Sequence, residues 1–92
     1  MKSINLPENS IKFLKCIFED GVVYLQIKNL SSPTDEFIYE GFELLCEEGT
    51  WESDEYELSE ADVQEMIEED GFFEIAEDEF KEALKESGIS KS

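Results

Sequence analysis

Carboxylates are the only reactive side chains this sequence holds in quantity. From Asp35 to Glu79 there are 20 acids and no lysine, arginine or histidine. Such groups could act as paired acid and base, ligate a hard cation, or offer a charged surface to a cationic partner. The acids outside that block are balanced by lysines, so residues 1–34 and 81–92 each carry a net charge of +1 within a chain of −18. Solvated helices ordinarily mix both signs along their outer faces. A block of this length without one base therefore points to a surface function.

The residues that are missing narrow the chemistry. Without histidine there is no Ser-His-Asp or Cys-His arrangement and no ordinary zinc site. Without arginine there is no bidentate phosphate clamp. Cys16 and Cys46 form no CxxC pair and read as buried, reduced thiols. Glu68 to Glu77 resembles the second half of an EF-hand loop, with Gly71 at the turn, but Met66 occupies the first ligand place. The sequence reads as that of a non-enzyme with no cofactor and no metal. Its negative charge disfavours direct contact with nucleic acid or an anionic membrane. No signal peptide or membrane-length apolar run is visible, so a cytoplasmic location is expected.

The elements that position these acids follow from local patterns. With 40% hydrophobic and 12% aromatic residues, the 92-residue chain has enough apolar content to fold as one small acidic domain, 1–92. Ile11–Phe18 and Val22–Lys28 flank Asp20-Gly21, which predicts a hairpin with a type I′ turn. Pairing across that turn sets Phe18 opposite Val23, Cys16 opposite Leu25 and Leu14 opposite Ile27. Phe13, Lys15, Ile17, Tyr24, Gln26 and Lys28 then make a mixed, partly exposed second face.

Ser32, Pro33 and Asp35 supply helix-start signals, and Gly49 a stop. The interval predicts a helix over 35–47, with a strand over 37–46 as the rival. As a helix it would align Glu36, Glu40, Glu43 and Glu47 in one stripe. Residues 51–58 read as extended. Ser59 to Asp62 caps a second helix running to Asp70, with Val63, Met66 and Ile67 inward and Asp62, Glu65, Glu68 and Glu69 outward. A strand over 72–75 and a helix over 77–87, with Phe80, Ala83 and Leu84 inward, complete the reading. The expected class is α+β: an N-terminal antiparallel β-hairpin extended to a small sheet, packed against two or three amphipathic acidic helices. Trp51 and Tyr56, inside the acidic block, are expected to pack in the core or along a strand.

Acids three or four apart on a helix stand ~5–6 Å apart, and alternate strand residues ~6.6 Å apart. Phosphates along one DNA strand are separated by roughly 6–7 Å. The candidate partner-binding surface is therefore Glu36, Glu40, Glu43, Glu47 and Glu48, continued by Glu52, Asp54, Glu55 and Glu57, and by Asp62, Glu65, Glu68 and Glu69.

Small size, one acidic face, abundant aromatics and no catalytic set together resemble the phage-encoded DNA-mimic anti-restriction proteins, of the anti-restriction nuclease type of T-even phages. The resemblance spans the whole chain and transfers no individual functional residue. It implies host defence evasion: an inhibitor, likewise of the host cell cytoplasm, that occupies the DNA-binding channel of a basic host protein. The implied target is a restriction endonuclease that cuts modified-cytosine DNA, and the implied assembly is a homodimer. The alternative is an immunity or antitoxin protein that plugs a basic nuclease site without duplex-like periodicity.

Overall fold

Residues 11–29 and 38–89 are described by a computed structural model. Their β-branched and aromatic runs form strands β1 (Ile11–Phe18), β2 (Gly21–Asn29), β3 (Tyr39–Glu47), β4 (Thr50–Leu58) and β5 (Phe73–Ile75). Helix α1 (Glu60–Glu68) lies between β4 and β5, and α2 (Glu77–Ser87) follows β5. The strands make one antiparallel sheet in the order β4-β3-β2-β1-β5. This is an α+β fold, with two helices among the described residues.

The sheet is apolar on both faces, and each face takes one helix. On one face Leu14, Leu25, Ile27, Tyr39 and Leu58 pack with Val63 of α1. On the other, Phe13, Phe42 and Leu44 pack with Phe80 and Ala83 of α2. Phe80 is 1% exposed, and its ring lies 5.0 Å from that of Phe13 and 6.3 Å from that of Phe42. A helix of this length is marginal alone in water. Burying a phenylalanine contributes about 1.5–3 kcal/mol, so Phe80 is the main anchor of α2. The second hairpin face is mixed and partly exposed, as expected: Phe13 and Gln26 are buried, Lys15, Tyr24 and Lys28 are half-buried, and Ile17 is exposed.

Two-sided burial also explains why the rival reading, a strand, is the one that forms here. Residues 39–47 are strand, not helix. Between two helix layers a strand carries apolar residues on both faces. The doublets at 41–42 and 44–45 then imitate the spacing of a helical stripe. Gly49 ends no helix: Glu48 (φ 51°) and Gly49 (φ 80°) are the two left-handed residues of a tight β3–β4 turn. The helix start placed at Ser32–Asp35 lies outside the described residues.

The first hairpin has its expected faces but a register shifted by two residues. Glu19 and Asp20 form the turn, Phe18 faces Gly21, and Leu14 faces Leu25. Gly21 is used by β3 instead. A Cβ at this position would collide with the Cys46 carbonyl group, so only glycine permits the approach. The neighbouring turns also meet, where the Glu48 N–H donates to the Asp20 carbonyl at 3.4 Å.

Local signals hold elsewhere. Ser59 and Asp62 form a reciprocal capping box on α1, and Gly88 (φ 72°) closes α2. Helix α1 ends at Glu68, two residues before the expected end. Cys16 and Cys46 are free thiols but only partly buried; Cys16 Sγ donates to the Asp70 carbonyl at 3.2 Å. Trp51 is half-buried and stacks on Tyr24, with ring centroids 6.3 Å apart.

Gly21→Ala should force β2 and β3 apart and lower stability by about 1–3 kcal/mol, the range for overpacking. Chemical denaturation of the variant checks this; an unchanged midpoint would mean the approach is not tight.

Candidate functional site

Strand geometry decides where the acids of β3 and β4 point. Side chains alternate between faces, and the β3–β4 register is unbroken from Glu47 opposite Thr50 to Tyr39 opposite Leu58. Glu43, Glu47, Glu52 and Asp54 consequently share the face that α1 covers in part. They stand on its uncovered corner, where Glu43, Leu45, Glu52, Ser53 and Asp54 line a shallow depression. Glu40, Glu55 and Glu57 lie on the α2 face, and Glu48 sits exposed in the turn. The expected stripe of Glu36, Glu40, Glu43 and Glu47 therefore does not exist. Glu40 and Glu43 point to opposite faces, and Glu36 lies outside the described residues.

Helix α1 supplies the other half of the acidic surface. Glu65, Glu68 and Glu69 are exposed and flank a second shallow depression with Ala61 and Gln64. Asp62 is committed to the helix cap: its carboxylate accepts from the Ser59 N–H at 3.0 Å, and its own N–H donates to Ser59 Oγ at 3.1 Å. Its carboxylate thus serves the cap while Asp62 stays exposed beside Glu65.

The electrostatics of this region are unfavourable to folding. Glu43 stands directly opposite Asp54, and Glu40 opposite Glu57. Like charges so placed destabilise a sheet by an amount of order 0.2–1 kcal/mol. Glu68, Glu69 and Asp70 crowd the carbonyl end of α1, whose last turn holds no base, where negative charge opposes the helix dipole. The lysines go elsewhere. Lys12 pairs with Glu74 at 3.0 Å, Lys15 with Glu79 at 2.7 Å, Lys28 with Glu40 at 3.7 Å, and Lys81 with Glu77 at 3.1 Å. The hydrogen bond to Glu79 is the chief cause of a raised Lys15 pKa. Among the described residues, Glu40 is thus the one candidate acid with a lysine partner.

Gly41 and Tyr56 make a close contact across β3 and β4 at this corner. Gly41 lies across from Tyr56, and a Cβ on Gly41 would come 3.0 Å from Leu58 Cδ1 and 3.2 Å from Tyr56 Cε1. The glycine lets the tyrosine ring lie across β3, where its hydroxyl donates to Glu43 Oε1 at 2.7 Å. Burial first, then this bond to Glu43, pushes the Tyr56 phenol far above its usual range. A glycine among large residues in an acidic strand was the only sequence signal for it.

No group of three or more acids or cysteines among the described residues is placed to hold a metal ion. The acids of Glu68–Glu77 are divided among the end of α1, β5 and the start of α2. No helix among the described residues is long and apolar enough to cross a membrane. Comparison of the chain with family models, curated proteins and solved structures finds no match.

Because the folded state keeps Tyr56 and Tyr39 protonated above the ordinary value of 10.0, their contribution to stability is complete below pH ~10 and lost as pH rises past it. Tyr56→Phe should cost roughly 1 kcal/mol at neutral pH through the lost hydrogen bond. It should also flatten the alkaline fall in stability, which denaturation at a series of pH values would read.

Proposed function

We propose that this protein is a non-enzymatic, cytoplasmic inhibitor that presents its carboxylates to the cationic DNA-binding site of another protein, as a mimic of DNA. The observation that carries the reading is the sidedness of the charge. Glu43, Glu47, Glu52 and Asp54 on one corner of the sheet, with Glu65, Glu68 and Glu69 on α1, have no lysine partner among the described residues, while four lysines pair with acids elsewhere. A surface meant only to be solvated would gain stability from interleaved lysines, and this one forgoes it.

The spacing that relates carboxylates to phosphates rests on different residues than a helical stripe would have used. Glu52 and Asp54 are alternate residues of one strand, a separation of ~6.6 Å. Glu65 is followed by Glu68 and Glu69 at the i+3 and i+4 spacing of α1. Following the resemblance, the target is a basic host restriction endonuclease acting on modified-cytosine DNA, and a homodimer would lengthen the acidic run. The immunity-type reading draws on one observation: with Glu40 turned to the other face, the acids form a patch on one corner and one helix rather than a single long row.

The test is inhibition and binding against a panel of unrelated basic DNA-binding proteins, with a modified-cytosine-dependent nuclease among them. Mimicry predicts binding to more than one, displacement by duplex DNA, and a loss of about tenfold or more in affinity between low and physiological salt. Binding to a single nuclease would favour the immunity-type reading. Binding insensitive to salt and duplex alike would refute an acidic binding surface.

A further inference from the structure

We propose that the free edge of β4 docks an extended, lysine- or arginine-bearing segment of the partner, which joins the sheet as an added strand. The inference rests on the reading of a cationic partner and specifies how that partner is held. Strand β4 has nine residues, a length of ~30 Å. Among the described residues it bonds to β3 alone. The other side of the sheet ends in β5, of three residues.

A free strand edge presents alternating N–H and C=O groups that can template another strand. Proteins block such edges with prolines, bulges, covering loops or charge. Thr50–Leu58 contains no proline, and its register with β3 has no bulge. Among the described residues charge is the one device present, and in β4 it is all of one sign. Glu52 and Asp54 project on the α1 face, and Glu55 and Glu57 on the α2 face; all four are exposed. A second copy of β4 would set glutamate against glutamate, which the edge rejects. A strand with basic residues on both faces would meet an acid at each of these positions, and opposite charges on neighbouring strands attract. The same charges that reject a copy of this chain therefore select a basic strand.

The backbone holds a placeholder for this step. Asp54 Oδ1 accepts from the Glu55 N–H at 2.9 Å. An incoming strand carbonyl can take that N–H, releasing the Asp54 carboxylate to meet a cation of the same strand. Main-chain bonds would then supply affinity and the paired charges specificity, the division of labour in strand addition.

Two nine-residue peptides matched to β4 test the proposal. Both carry lysines placed to meet Glu52, Asp54, Glu55 and Glu57, with threonine or valine elsewhere, and one is N-methylated at alternate amides along the docking edge. Each is titrated into the full chain at low salt while amide hydrogen exchange is followed. The unmodified peptide should slow exchange of the Glu55 amide, and the methylated one should bind about tenfold or more weakly. Equal binding by the two, binding without added protection in β4, or binding by neither would overturn strand addition. Equal binding would leave the acidic-surface reading intact, whereas failure of that reading appears separately, as partner binding indifferent to salt.

Discussion

Leu25, Ile27 and Leu44 are wholly inaccessible to solvent, yet Leu44 points to the opposite face of the sheet from the other two. A sheet with large apolar side chains on both sides must be covered on both. This chain has two short helices among its described residues to do it. Helix α2 packs against β1, β2 and β3 through Phe80 and Ala83, and α1 returns from the end of β4 across the other face. Among the described residues the helices bury the middle of the sheet, whereas Glu47, Thr50 and residues 52–55 at the turn end of β3 and β4 are exposed. That uncovered corner is where polar residues are tolerated, and the sequence fills it with acids. The layer arrangement thus determines where charge can be displayed.

What the acids gain there has to be weighed against what they cost. Glu43 opposite Asp54, Glu40 opposite Glu57, and three acids at the carbonyl end of α1 are each mildly destabilising. A small domain has only a modest reserve of stability against which to set them. Exchanging Asp54 or Glu57, both exposed, for lysine would relieve the repulsion without disturbing a buried contact. Local choices that conflict with folding are expected where a surface serves function. The Tyr56 hydroxyl on Glu43, made possible by Gly41, is a partial compensation: it satisfies one carboxylate without neutralising it.

The parts legible from sequence were those governed by near neighbours. The Ser59–Asp62 cap, the inward residues of α2 with Gly88 behind them, and the short strand before α2 all follow from signals within a few residues. Strand β3 was obscured because burial on both faces erased the alternation that identifies a half-buried strand. Gly21 misled for a related reason: a glycine after Asp20 suits a turn, but here it serves contact with Cys46, 25 positions along the chain. For the candidate surface, the charge segregation from Asp35 to Glu79 was visible at once. Its sidedness was not, since a strand sends Glu40 and Glu43 apart where a helix would align them.

On this reading the carboxylates of the β3–β4 corner, without a lysine partner among the described residues, are kept at a cost to stability because they bind a cationic partner. The double variant Glu52→Gln with Asp54→Asn tests it most directly, because it keeps side-chain size and the acceptor for the Glu55 amide. Stability and partner affinity should be measured on the same protein. Unfolding free energy should rise by roughly 0.5–1 kcal/mol, and affinity at low salt should fall about tenfold or more. Unchanged affinity, with or without a change in stability, would contradict it.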